Sequence, residues 1–318
     1  MPELVGVGHI CQDHLCVVEA YPPEDGSTRI TEIEFQGGGA AATATVAAAR
    51  LGIDAALIGN LGADRIGDEI ADELLREGVD ISAVDRLEGV RSLSSYVMIC
   101  PTRGTRTKFP FKDRMPPIAW SERQREVLSG AKVLHLDGTH YENAVRAAAL
   151  AKDHGVTVSL DGSTRQSDNA LNRRLAGMAD VLITNSVYPM LVSGKGSLSE
   201  ALLEMSTWGP EFVAATVGQD GVYAVLGGEV RHYPAFSVAV VDTTGAGDVF
   251  HGAFLAARLR GKGVEECIRF AQYAAGKKCG QMGGRRGIPD WATVESGLEA
   301  SNAKNATPKQ ATPKEVTK

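Results

Sequence analysis

Short apolar runs alternate with helix-length segments along most of this chain, and that alternation constrains the fold more than any other feature. Leu4 to Ile10 reads as a buried first strand, and Gly37-Gly38-Gly39 then opens an alanine-rich helix, Ala40 to Leu51, stopped by Gly52. Ala55 to Gly59 is the next strand, followed by a helix from about Asp68 to Glu77. The rhythm resumes at Lys132 to Leu136, with a helix through Asn143 to His154 and strands at Val156 to Leu160, Val181 to Thr184 and Phe212 to Val217. Val222 to Leu226 and Val230 to Tyr233 flank Gly227-Gly228 as an antiparallel hairpin at a sheet edge. Val240-Val241 is expected to end a strand, and helices Asp248 to Leu259 and Val264 to Cys279 close the fold. Repeated strand–helix units require an α/β architecture, a mostly parallel, doubly wound sheet with helices on both faces.

Two stretches break the rhythm. Cys16 to Phe35 carries short β-like runs around the turn Pro22-Pro23-Glu24-Asp25-Gly26, and Ser94 to Cys100 joins Arg106 to Phe111 through Pro101-Thr102-Arg103-Gly104. Segments at about 14–35 and 94–112 are therefore predicted to assemble into a small separate sheet. Residues 1–300 read as one domain with this appendage. Ser301 to Lys318, composed of Ala, Lys, Thr and Pro with little to bury, reads as a flexible tail.

A net charge of −6 gives no reason to expect nucleic acid or an anionic membrane as partner. Five cysteines without a Cys-x-x-Cys pair suit reduced thiols in a cytoplasmic protein. No window approaches the roughly 18 uninterrupted apolar residues of a membrane helix. The seven histidines show no metal-ligand spacing, which argues against zinc.

Chemistry concentrates in Asp242-Thr243-Thr244-Gly245-Ala246-Gly247-Asp248. The small residues form a loop that can take unusual backbone angles, and Asp248 opens a helix whose N-terminus favours anions. A carboxylate at the first helical position would repel a phosphoryl group unless a hydroxyl nucleophile lay between them. Phosphoryl transfer needs such an arrangement: a base for the incoming hydroxyl and donors for the transferred charge.

The seven-residue run resembles the C-terminal signature of the ribokinase-like (PfkB-type) carbohydrate kinases. Val7-Gly8-His9-Ile10-Cys11-Gln12-Asp13 resembles that family's first strand with its sugar-contacting aspartate. Gly38-Gly39 followed by Ala41 to Gly52 is similar to its first signature, and Gly59-Asn60-Leu61-Gly62-Ala63-Asp64-Arg65-Ile66-Gly67 to the segment after it. Asp161-Gly162-Ser163-Thr164-Arg165 resembles the Asp-x-Asn-x-Arg strand end, and Thr216-Val217-Gly218-Gln219-Asp220-Gly221 the nucleotide-side loop. The resemblance implies a ribokinase-like fold with a small β-sheet lid and a homodimer formed through that lid. It implies Asp248 as base, with the amides of Gly245, Ala246 and Gly247 as anion hole. It further implies Asp13, Gly38, Gly39, Thr43 and Arg165 on the sugar, and Asn185, Thr216, Gly218, Gly221 and Thr244 on ATP. Mg²⁺ would arrive with ATP. Potassium is implied near the Asp-Thr-Thr run, with Asp242 and Thr244 as candidate ligands.

The chain departs from the pattern at three kinds of position. Thr43 stands where the family usually has Asn, and Tyr188 where the Asn-x-x-Glu motif has its glutamate. Gly37 to Ala44, Asp248 to Ala253 and Gly283 to Asp290 resemble the sulfofructose kinase branch, yet the basic residues expected there for a fixed anion fall at Ser27 and near Thr139. Arg29, Arg103, Arg106 and Lys108 are candidate replacements, and His251 is a candidate for the nucleotide side. A nucleoside kinase of the same fold is the alternative. A dinucleotide-binding dehydrogenase is disfavoured because Cys11 occupies the third glycine position after Gly6-Val7-Gly8, and no P-loop motif is present.

Overall fold

The computed structural model describes residues 1–103, 105–111, 115–163 and 167–306. In chain order the elements begin β1 (Leu4–Val7), β2 (Cys11–Val18), β3 (Ile30–Gly38), α1 (Ala40–Arg50), β4 (Ala55–Gly62), α2 (Arg65–Arg76), β5 (Asp80–Leu87), β6 (Ser94–Cys100) and β7 (Thr105–Phe111). They continue with α3 (Glu122–Ser129), β8 (Val133–Leu136), α4 (Tyr141–Asp153), β9 (Thr157–Gly162), α5 (Asn169–Ala176), β10 (Val181–Asn185), α6 (Tyr188–Ser193) and α7 (Leu198–Met205). The last are β11 (Phe212–Thr216), β12 (Val222–Leu226), β13 (Glu229–Tyr233), α8 (Ala246–Leu259), α9 (Val264–Lys278) and α10 (Trp291–Ala306).

Nine strands form the main sheet in the order β13-β12-β11-β10-β9-β8-β1-β4-β5, parallel throughout except for the β11–β12–β13 edge. The order reverses at β1, which pairs with β4 on one side and β8 on the other. Ligands bind at such a switch point in open α/β sheets, outside the carboxyl ends of the strands. Both faces are covered. One apolar cluster joins α1, α2, α8 and α9 through side chains such as Val46, Leu74, Phe254 and Phe270, and the other joins α3 to α7 through Val127, Ala147, Leu175 and Leu202.

The two rhythm-breaking stretches pair with each other in a four-stranded sheet, β3-β2-β6-β7. Its bounds differ from the expectation at the start. The run Val7 to Asp13 is not one strand: β1 ends at Val7, and Cys11 to Val18 belongs to the smaller sheet, where Asp13 pairs with Gln36 and Ser95. Val240-Val241 ends no strand; the chain there is irregular, and its amides reach the Cys279 carbonyl (Val241 at 2.8 Å, Asp242 at 3.1 Å). Helix α10 runs to Ala306, so the first residues of the expected tail are helical, and 307–318 lie outside the described residues. All five cysteines are buried free thiols. No helix among the described residues is long and apolar enough to cross a membrane.

Candidate active site

Close backbone packing assembles the site. Small side chains let α1 bury nearly its whole length. Gly252 on α8 faces the Ala44 carbonyl of α1 so closely that a Cβ there would collide with it. The two helices thereby pack backbone against backbone. Gly39 caps α1 at φ 91°, a backbone angle that favours glycine, and a Cβ on it would strike the His9 carbonyl. Gly245 caps α8 at φ 73°, and a Cβ there would sit 2.8 Å from the Gly284 carbonyl oxygen.

Asp248 is the third residue of α8, after Ala246 and Gly247, rather than the first as its sequence position implied. Its carboxylate and the amide of Gly247 thus share one helical turn. Space beside Gly247 is open, with no atom within 4 Å of a Cβ placed there. The Ala246 amide turns back to the Thr243 carbonyl at 3.2 Å, so of the three expected anion-hole donors this one is already engaged.

The loop after α9 links this turn to the lid. Gly284 covers Gly245, while the Arg285 amide donates to Gln36 Oε1 at 3.2 Å. The Arg285 side chain is 2% exposed and donates three ways: Nη2 to the Gly38 carbonyl at 3.0 Å, Nε to Thr43 Oγ1 at 3.3 Å and Nη1 to Glu73 Oε1 at 3.2 Å. Asp13 lies against Gly38, where a Cβ would come within 2.5 Å of its Oδ2. Asp13, Gly38, Gly39 and Thr43 are therefore one corner. Thr43 is buried with its hydroxyl committed to Arg285, which explains why a longer side chain is absent there. Burial raises the Asp13 carboxyl above the ordinary carboxylate range, while the charges of Lys108 and Arg285 pull it back down.

Two polar residues of this region were not singled out from sequence. Asp137 follows β8, is 1% exposed, and accepts from the amides of His9 (2.8 Å), Ala41 (3.0 Å) and Thr139 (2.9 Å), tying the β1–β2 link to α1. Its Leu-Asp-Gly-Thr context reads as an ordinary turn. Asn60, at the end of β4, donates to the Pro116 carbonyl at 2.9 Å, while its buried Oδ1 has no partner among the described residues. Asn60 lines a cleft with Gly8, Ile10, Leu93 and His140, beside the lid.

The nucleotide-side candidates Asn185, Thr216, Gly218 and Gly221 all end or follow β10 and β11, at the carboxyl ends of these adjacent parallel strands. Asn185 Oδ1 accepts from the amides of Val187 (3.0 Å) and Tyr188 (2.9 Å), capping α6, and Thr216 Oγ1 donates to the Thr184 carbonyl at 3.3 Å. Gly221 has φ 100° and packs on the Tyr233 carbonyl, so local backbone geometry alone demands glycine there. His251 is buried in α8, 3.5 Å from Asp161 Oδ1 and beside the His135 ring, as a packed histidine. Arg165 lies outside the described residues.

Asp242 and Thr244 do not fit a potassium ion. Asp242 Oδ1 accepts from the Thr244 amide (2.9 Å), Thr244 Oγ1 (2.8 Å) and Arg106 Nη1 (3.2 Å), and Oδ2 accepts from the Gly283 amide (2.8 Å). Arg106, reaching over from lid strand β7, also donates to Thr244 Oγ1 at 2.6 Å. Lys278 Nζ donates to the Asp242 carbonyl at 2.9 Å. Arg106 thus occupies Asp242 Oδ1 and Thr244 Oγ1, and Lys278 the Asp242 main-chain carbonyl, acceptors that a metal would need.

Residues 1–291 match the model of the pfkB family carbohydrate kinases. The chain belongs to that family. Its relatives include an ATP-dependent ribose-1-phosphate kinase of Halopiger xanaduensis, 30% identical over 90% of this chain and 94% of that one. A ribokinase of Haemophilus influenzae is 26% identical over 90% of this chain and 95% of its own. Among solved structures, Arabidopsis thaliana ribokinase complexed with ribose and ATP superposes with a TM-score of 0.82 at 26% identity, covering 94% of this chain and 99% of that one. This pfkB family member is an ATP-dependent sugar kinase on a ribokinase-like fold, with a large, mostly parallel sheet and a smaller separate one.

Proposed function

We propose that this kinase transfers a phosphoryl group from MgATP in line to a primary hydroxyl of a sugar or sugar derivative, a hexose, ketose, sugar acid or sulfosugar. One observation carries the reading: Asp248 and Gly247 share the first turn of α8, with open space where a Gly247 side chain would sit, and the 283–285 loop joins that turn to the Gly38–Asp13 corner. In this reading Asp13, with the backbone of Gly38 and Gly39, holds sugar hydroxyls. Asp248 takes the proton of the hydroxyl that attacks, and the glycine amides receive the charge of the transferred group. MgATP would supply the phosphoryl group, the metal offsetting the charge of its phosphates. Arg165, Asn185, Thr216, Gly218, Gly221 and Thr244 serve the two substrates as the family resemblance assigns them.

Exposed apolar side chains on one face of the smaller sheet support a homodimer formed through it. Ile33, Phe35, Tyr96 and Phe109 are 51%, 56%, 44% and 55% exposed, an apolar surface on neighbouring strands that a second copy would cover. The buried free thiols suit work in the cytoplasm.

An ADP-release assay across hexoses, ketoses, sugar acids, sulfosugars and nucleosides tests the substrate class. Turnover with at least one sugar and little with nucleosides is expected. Nucleosides alone supporting turnover would replace the carbohydrate reading with that of a nucleoside kinase.

A further inference from the structure

Lys278 ends helix α9 and is fully buried, with 0% exposure. Removing an ammonium from water costs several kcal/mol unless its surroundings repay it, and apolar side chains of similar volume fill such sites more cheaply. Here the repayment comes from the loop that leads to Asp248. Nζ donates to the Asp242 carbonyl, and the amides of Val241 and Asp242 donate to the carbonyl of Cys279, the next residue. The ammonium also lies at the C-terminus of α9, where the helix dipole favours positive charge. Burial lowers the Lys278 pKa, while the negative charges of Asp242 and Asp248 act against that shift. Its charge is therefore felt at both ends of the Asp242–Asp248 run.

We propose that Lys278 is a built-in monovalent cation that positions the Asp242–Gly247 loop, and that this kinase therefore works without potassium. An ammonium and a potassium ion carry the same charge at nearly the same radius, and both are satisfied by carbonyl and carboxylate oxygens. In this chain Lys278 Nζ binds the Asp242 main-chain carbonyl, while Arg106 binds Asp242 Oδ1 and Thr244 Oγ1. A third cation on the same atoms would meet two like charges at close range. Lys278 acts through the loop, so it is a positioning residue rather than a catalytic one.

The test varies KCl against tetramethylammonium chloride at a constant ionic strength near 0.1 M, where the Debye length is about 10 Å. Turnover by ADP release and melting temperature are read in the same buffers. The melting arm needs no substrate, so it stands even if the sugar assignment fails. Wild-type turnover and melting temperature are expected to be unchanged by potassium. Lys278→Met is expected to lose turnover by about tenfold or more. Potassium or ammonium ions, but not tetramethylammonium, should restore part of that loss and raise the variant's melting temperature by binding the vacated site. Rescue selective for small cations is a readout that a merely structural lysine would not give. Potassium activation of the wild type by about tenfold would overturn the proposal. So would a Lys278→Met enzyme as active as wild type, or a loss that no cation restores. Should Lys278→Met fail to fold, the wild-type titration decides alone.

Discussion

Arg285→Met keeps most of the side-chain stem and removes the guanidinium that joins the C-terminal loop, lid strand β3, α1 and α2. Three donations disappear: to the Gly38 carbonyl, Thr43 Oγ1 and Glu73 Oε1. Removing one partner of a buried ion pair typically costs about 3–5 kcal/mol. Glu73 keeps 20% of its side chain exposed and can rehydrate, which places this pair at the lower end, about 3 kcal/mol. The Gly38 carbonyl, buried at the end of β3, loses this donor, which adds about 1 kcal/mol. For a chain somewhat larger than 250 residues, each kcal/mol moves the melting temperature by about 2–3 °C, so a fall of roughly 8–12 °C is expected. Arg285→Lys retains the charge without the planar fork and should fall between the two. Scanning calorimetry reads the shift, and a sugar titration should show KM for the sugar rising more than KM for ATP, because the proposed function sets sugar hydroxyls against Gly38. A melting temperature within about 1 °C of wild type would refute the reasoning, since the guanidinium would then hold nothing together.

Acid should destabilise the protein partly through Glu77. The side-chain donors of Arg50 at 2.6 Å hold its carboxyl below the ordinary value of 4.5, with burial opposing them. A depressed folded pKa contributes stability above pH 4.5 that is lost as pH falls through the lower folded value, so Glu77→Gln should flatten the acid side of a melting-temperature profile. An unchanged slope would remove Glu77 from the acid response. Burial raises the Asp13 pKa, so this group works in the opposite sense and gains folded-state favour as it protonates. Gly39→Ala meets both a positive φ and the His9 carbonyl, whereas Gly228→Ala, at φ 81° with nothing within 4 Å, meets only the strain of about 1–3 kcal/mol. Denaturant unfolding should show Gly39→Ala to be clearly the more costly, and equal losses would contradict the packing argument.

The fold was legible wherever local pattern and tertiary burial agree. The alanine run of α1, the apolar strands β4, β8, β10 and β11, and the Gly227-Gly228 hairpin all carry their periodicity in sequence. Strand β5 was missed because Asp80, Asp85 and Arg86 interrupt it; it is an outer strand of the sheet, only partly buried. Helices α3, α5 and α7 are short and held by Ser121, Asp168 and Ser197 caps that resemble ordinary loop residues. The candidate site was legible as motifs but not as commitments. Sequence places Thr43 near a sugar and Asp242 near a cation, and only the fold reveals that Arg285, Lys278 and Arg106 have already claimed their oxygens. Arg285 carried a signal, an arginine among glycines in Gly283-Gly284-Arg285-Arg286-Gly287, since such glycines make room for a large side chain to turn inward. A Cβ on Gly37 would collide with its guanidinium.

The central claim is that Asp248 is the base for a hydroxyl placed between it and the anion loop. Asp248→Asn keeps the size of the side chain and its place in the first turn of α8. With any accepted sugar, turnover should fall by about 10²–10⁴-fold, the range of a general base, while the KM for ATP stays nearly unchanged. Near-wild-type turnover in that variant would contradict the account.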